Sequence, residues 1–262
     1  MKAHTILITG ASSGLGREMA LRLVTKCSKM IIVGRNRERL DALKEELIKA
    51  RDIKARDIKV TAVATDLSIK ENCISLHDEF SDVDLLINDA GFGDYGDFDK
   101  TSPDKDLRMI DTNVKALHIL TKLYLADMIR RDHGHILNVA SIAGFMPGPL
   151  MATYYATKAY VTSLTRAVSR ELKERGSDIY VGALCPGPVD TEFNDVADVE
   201  FALKGISPKK CVSYALDQMI NHRRTIIVPT LRMKAATFGS RFLPSDQIVA
   251  MTGRQQKKKK NL

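Results

Sequence analysis

The chain predicts an α/β fold, a single doubly wound parallel sheet with helices on both faces. Three observations predict it: seven short apolar runs, helix-length segments between them, and a glycine-rich turn directly after the first run. Short apolar strands joined by helical crossovers form parallel sheets covered on both sides. At 262 residues the chain has the length for one large domain with a full core.

The elements follow in order. Thr5–Thr9 is the first buried-strand run, and Leu15–Lys26 the first helix-length segment. Met30–Val33 is continuously apolar, followed by Arg37–Lys49, then Val60–Ala64. Between Ala50 and Lys59 the sequence reads Ala-Arg-Asp-Ile-Lys twice, which extends a surface helix and its loop. Leu85–Ile87 precedes Asp104–Arg131, long enough for one continuous helix or two. His135–Val139, the helix Tyr154–Glu174, Ile179–Leu184 and Thr225–Val228 complete about seven strands.

Hydrophobic residues make up 44% and charged residues 27%, the balance of an ordinary soluble globular protein. Cys27, Cys73, Cys185 and Cys211 lie scattered without metal-ligand spacing and read as reduced thiols, so no metal is expected and the expected location is the cytoplasm. The strand-like start leaves no room for a signal peptide, and no apolar stretch reaches membrane-spanning length. Arg254 and Lys257 to Lys260 supply more than half of the net charge of +8. The excess positive charge is thus mostly a tail property. Nucleic-acid binding is not expected, since no basic helix or aromatic platform accompanies it. A disordered solvated tail is one reading; weak contact with an anionic membrane surface through clustered lysines is another.

Thr9-Gly10-Ala11-Ser12-Ser13-Gly14-Leu15-Gly16 lies between a strand and a helix. That context gives the glycines meaning as a Rossmann-type phosphate turn. Gly10 permits the tight exit, Gly14 lets backbone amides approach phosphate, and Gly16 permits close helix–strand packing. A site selective for NAD places an acid at the end of the second strand, where Val33-Gly34-Arg35-Asn36-Arg37 stands here. Arg35 suits a 2′-phosphate, so NADP(H) is favoured and NAD(H) remains possible.

Tyr154 and Lys158 are four residues apart, on one face of a helix. An ordinary tyrosine has a pKa of about 10 and is almost wholly protonated at neutral pH. A neighbouring cation favours its charged form and suits it to proton transfer. A hydride carrier with a tuned tyrosine means carbonyl and alcohol redox chemistry.

With these motifs in this order, residues 3–230 resemble the classical short-chain dehydrogenase/reductases. The resemblance implies that Gly10, Ser12, Ser13, Gly14, Leu15 and Gly16 form the cofactor turn, and that Asp66 contacts the adenine ring, with Leu67 beside it. Asn88-Asp89-Ala90-Gly91 resembles the Asn-Asn-Ala-Gly element that stabilises the central sheet; Asn88, Ala90 and Gly91 are expected at the cofactor. Asp89 departs from that element and puts its sheet-bracing bonds in question. By the same resemblance Asn113 kinks its helix and holds a relay water, Ser141 orients the carbonyl, and Tyr154 exchanges the proton. Lys158 binds ribose and lowers the tyrosine pKa, while Pro186, Gly187, Val189 and Thr191 flank the nicotinamide.

The resemblance also implies a substrate flap over 190–207 within a domain spanning 1–230. A C-terminal extension, 231–253, and a basic disordered tail, 254–262, follow. The extension has three possible roles: a helix over the active-site mouth, a membrane-surface contact or a subunit contact. The apolar flap fits a hydrophobic carbonyl or alcohol, such as a hydroxysteroid or ketosteroid or a 3-oxoacyl thioester. Homodimers or homotetramers are expected through the long helices, with Leu117, Leu120, Leu123, Val161, Leu164 and Val168 as candidate contacts. The alternative of another class is a non-catalytic protein that senses the dinucleotide. The intact Tyr154–Lys158 pair argues against it.

Overall fold

The computed structural model describes residues 3–52, 58–193 and 205–257. Its strands are β1 (Thr5–Thr9), β2 (Lys29–Gly34), β3 (Lys59–Ala64), β4 (Leu85–Asn88), β5 (His135–Val139), β6 (Tyr180–Leu184) and β7 (Ile226–Ile227). They form one parallel sheet in the order β3-β2-β1-β4-β5-β6-β7. Ile6 lies beside Met30 on one flank and Leu85 on the other, so β1 and β4 are adjacent at the centre. The strand order reverses between them, which opens a crevice at their carboxyl ends.

Alternation along β1 assigns its two faces. Ile6 and Ile8 pack with Met19 and Leu23 of α1 (Gly14–Leu23) and Leu40, Leu43 and Leu47 of α2 (Arg37–Asp52). Leu7 points to the other face, among Cys73 and Leu76 of α3 (Lys70–Glu79) and Leu120 and Tyr124 further along. Both faces are therefore apolar and covered, which explains why the strands read as unbroken aliphatic runs.

The long segment is α4 (Pro103–Ile110), a π-helical turn (Asp111–Ala116) and α5 (Leu117–Arg131), without a break between them. α6 (Ala152–Glu174) leads into β6. α7 (Pro208–Ile220), α8 (Leu231–Gly239) and α9 (Ser245–Lys257) complete the described chain. Two expectations are corrected here. The stretch from Arg254 to Lys257 is the last turn of α9, where Gln256 is buried, so disorder does not begin at 254. Leu117, Leu120 and Val161 lie in the protein's own core, satisfied by packing within the monomer, so they present no face to a second subunit. Lysines 258–260, residues 53–57 of the repeat, and the flap residues Val196, Val199, Phe201 and Leu203 lie outside the described residues. No helix among the described residues is long and apolar enough to cross a membrane.

Candidate active site

The site starts at the turn after β1. Gly10 and Gly14 have φ of +70° and +57°, a region that L side chains rarely adopt. A Cβ on Gly16 would sit 2.6 Å from the Gly10 carbonyl oxygen, so only glycine lets α1 start this close to the strand. α1 has no acid in its first turn, and Ser13 makes no side-chain cap. Its N-terminal amides are therefore suited to an anion.

The floor of the crevice is tied to this turn by Thr9. Its buried hydroxyl oxygen accepts from the Asp89 and Ala90 amides, each at 3.1 Å. Thr9 thus braces position 89 through its backbone N–H, and the Asp89 carboxylate adds a bond from the Gly16 amide. Asn88 donates to Asn138 and Thr121, and Asn138 donates to Thr165, which links β4, β5, α5 and α6 behind the crevice.

The reactive groups approach from the other half of the sheet. Ser141 follows β5, where its Oγ accepts from the Ala143 amide at 3.1 Å. Tyr154 lies in the first turn of α6 and is hydrogen-bonded to the Ser141 side chain. One turn later Lys158 donates to the Val139 carbonyl oxygen at 2.8 Å. Its Nζ is 5.8 Å from the centre of the Tyr154 ring. Asn113 sits in the π-helical turn, where its side chain grips the Phe92 amide and carbonyl at 3.0 and 2.8 Å and donates to Thr157. Asn113 thus sits in a local widening of the helix between α4 and α5.

Charge in the crevice is set mainly by burial. Burial pushes Asp89 up to about 7, against the Lys158 charge and the Gly16 amide. It pushes Lys158 down to about 8, against the Asp89 charge. Tyr154 is held above its ordinary value by burial, which outweighs the Ser141 hydrogen bond. The expected lowering of the tyrosine by Lys158 is therefore not found: the ammonium is bonded to Val139 and faces Asp89. At the opposite end burial raises Asp66, but bonds from Ser68 and the charges of Arg35 and Arg108 prevail and hold it below the usual carboxylate range.

One crevice of about 310 Å³ gathers nearly all the sequence-predicted site residues. Gly10, Ser12, Ser13, Gly14 and Leu15 line it at the turn, with Arg35, Asp66 and Leu67 at one end. Ala90, Gly91, Ser141, Tyr154, Lys158, Pro186, Gly187, Val189 and Thr191 line the remainder. Gly16, Asn88 and Asn113 stand behind its wall as supports rather than on it. Phe193, from the start of the flap, packs with its ring 5.4 Å from that of Tyr154. Thr252, at the end of the expected extension, and Gln255 and Gln256, from the stretch read as tail, also line the crevice. Sequence reasoning missed these three, and it missed Asp89 as a charge facing Lys158.

Residues 4–200 match the family model described as short chain dehydrogenase. The chain belongs to the short-chain dehydrogenase/reductase family. An uncharacterised oxidoreductase of Staphylococcus epidermidis is 30% identical over 225 residues, 83% of this chain and 93% of that protein. The NADP-dependent 3-hydroxy acid dehydrogenase YdfG of Escherichia coli is 36% identical over 193 residues, 73% of this chain and 75% of that one. Among solved structures, a short-chain dehydrogenase from Sphingobium yanoikuyae in complex with NADPH is 31% identical with a TM-score of 0.80, covering 91% of this chain and 94% of that chain. Members of this family use a nicotinamide dinucleotide, and the residues present fit one. The glycine cradle, the acid-free start of α1 and the crevice running from Arg35 to Thr191 are the features that such a molecule requires.

Proposed function

We propose that this short-chain dehydrogenase/reductase interconverts a hydrophobic carbonyl compound and its secondary alcohol, with NADP(H) as the preferred dinucleotide. The convergence of Ser141, Tyr154 and Lys158 on one crevice below the glycine turn carries the reading. The dinucleotide would supply or accept the hydride. Ser13, Gly14 and Leu15 would hold its pyrophosphate at the start of α1, Asp66 and Leu67 its adenine, and Lys158 a ribose hydroxyl.

As the substrate oxygen gains negative charge it requires donors aimed at it, and the Ser141 and Tyr154 hydroxyls are the pair available. Tyr154 also delivers the proton in reduction and takes it in oxidation. Arg35, exposed at the end of β2 beside Asp66, supports the NADP(H) preference because no acid stands there to repel a 2′-phosphate. The NADP dependence of YdfG and the NADPH held by the Sphingobium enzyme agree with it. Met146, Met151, Phe92 and Phe193 give the substrate end an apolar wall suited to a bulky ketone or an acyl chain. Assembly as a homodimer or homotetramer remains part of this reading. Tyr160, Ile129, Ile110 and Leu107 are the exposed large apolar residues on the long helices.

The test is a panel of ketones, hydroxysteroids and acyl thioesters followed at the nicotinamide absorbance with both dinucleotides. Turnover of hydrophobic ketones with a higher kcat/KM for NADPH is expected. Silence across the panel, with the dinucleotide still bound, would instead support a sensing protein.

A further inference from the structure

The substrate end of the crevice is closed by α9, a segment outside the matched family region. Its face toward the protein is small and polar: Thr252 is 6% exposed and Gln256 2%, while Met251 beside them is 58% exposed. Gly253 permits the approach, since a Cβ there would already stand 3.3 Å from Pro149. Two hydrogen bonds then fasten the last described turn. Tyr95 Oη donates to the Gln256 carbonyl at 3.2 Å, and Gln256 Nε2 donates to Tyr155 Oη. Tyr155 is the neighbour of the proton-exchanging Tyr154, with ring centres 6.2 Å apart.

One atom of this arrangement is left over. Gln256 Oε1 is buried without a hydrogen-bond partner among the described residues, in a side chain that lines the crevice. A buried carbonyl oxygen without a donor destabilises the free protein, and a ligand that brings the donor removes that penalty. The terminal torsion of glutamine is soft, so a rotation that gives up the Nε2–Tyr155 bond turns Oε1 toward the crevice. The surrounding wall is Met146, Met151 and Phe193. On an apolar wall a single unfilled acceptor discriminates strongly between ligands that carry a donor and ligands that lack one.

We propose that Gln256 is a specificity-determining residue, and that its carboxamide oxygen accepts a hydrogen bond from a hydroxyl or amide N–H on the part of the substrate remote from the reacting carbonyl. The preferred substrates are then hydrophobic ketones or alcohols with a second, donor-bearing polar end. This rests on the carbonyl–alcohol reading of the site and narrows its substrate class.

The experiment compares a cyclohexanone bearing a phenyl group opposite the carbonyl with the same ketone carrying a para-hydroxyl on that phenyl. Wild type should favour the hydroxylated ketone by about ten- to a hundredfold in kcat/KM. Gln256→Met, apolar and of similar length, should bring the ratio close to one through KM for the hydroxylated ketone. Gln256→Glu, which keeps an acceptor oxygen, should restore the preference. Turnover of both ketones by wild type without preference overturns the inference while leaving the carbonyl reading intact, and needs no variant. A ratio unchanged in Gln256→Met, with both ketones equally slowed, reduces Gln256 to a structural clamp and also overturns it. No turnover of either ketone or of the wider panel sinks the carbonyl reading, and the inference falls with it.

Discussion

Thr9→Val offers a direct measure of how the central sheet holds the site. Valine keeps the shape of threonine but removes the one oxygen that accepts both the Asp89 and Ala90 amides at 3.1 Å. Thr9 is 1% exposed, so water does not take its place. An orphaned buried amide costs about 1–3 kcal/mol, which for two gives a loss of about 2–6 kcal/mol. The bond that Thr9 itself donates to Ile87 is long, at 3.4 Å, and adds little. With a urea slope of roughly 3 kcal/mol per M for a chain of this size, the unfolding midpoint should fall by about 1 M. Thr9→Ser keeps the acceptor and should stay within about 1 kcal/mol of wild type. Ala90 and Gly91 line the crevice, so dinucleotide affinity in titrations should fall in parallel with stability. A Thr9→Val protein as stable as wild type would refute the view that this hydroxyl braces the crevice floor.

Three further outcomes are expected. Tyr154→Phe should abolish turnover and leave dinucleotide affinity within a few-fold, whereas Lys158→Ala should damage both; comparable steady-state rates for wild type and Tyr154→Phe would reject the assigned proton donor. Arg35→Asp should weaken NADPH binding by about ten- to a hundredfold, the value of a charge-assisted bond, and affect NADH much less. A wild type that already favours NADH by kcat/KM would show the strand-end argument to be wrong. Light scattering at micromolar concentration should give a dimer or tetramer mass, and a monomer mass would reject assembly through the long helices.

The sheet was legible chiefly because its central strands β1, β2 and β4 are buried on both faces and therefore written as apolar runs, whereas edge strand β3 is only partly buried. Ile6, Leu7 and Ile8 are all fully buried, although they point alternately to opposite sides. The cofactor turn and the Tyr154–Lys158 pair were legible because short fixed spacings carry them, whereas Ser141 followed only from the family resemblance. α9 was not. Its buried residues are Thr252, Gly253 and Gln256, so it shows no apolar stripe at helical period, and its charged end suggested a solvated tail. The Gln256–Tyr155 bond spans 101 residues with no motif at either end. Asp89 was legible as a departure from the family element but not as a charge on Lys158. That relation exists only once the loop after β4 meets α6 across the crevice. Helix α3 buries only Cys73 and Leu76, too thin a pattern to name in advance.

The electrostatics of the crevice also bear on the favoured direction of reaction. Burial raises Tyr154, and neither Ser141 nor the neighbouring charges reverse the effect; Tyr155 and Asp89 push the same way. The phenol therefore holds its proton throughout the neutral range, which is the state a proton donor in ketone reduction requires. Alcohol oxidation requires the deprotonated phenol, a species that becomes tenfold more abundant with each unit rise in pH below its pKa. The sign follows: reduction should be nearly flat from pH 6 to 8, where Tyr154 stays fully protonated, while oxidation should climb steadily through the same range. Asp89 adds a second effect. Burial raises it to about 7, so it gains negative charge as the pH passes that value, and Lys158, lowered to about 8, is then held more firmly as the cation. Asp89→Asn removes that support, and the limb that reports Lys158 should move to lower pH. The measurement is kcat/KM in both directions across this range for wild type and Asp89→Asn. A reduction rate that falls tenfold between pH 6 and 7, with oxidation unchanged, would place the proton elsewhere than on Tyr154.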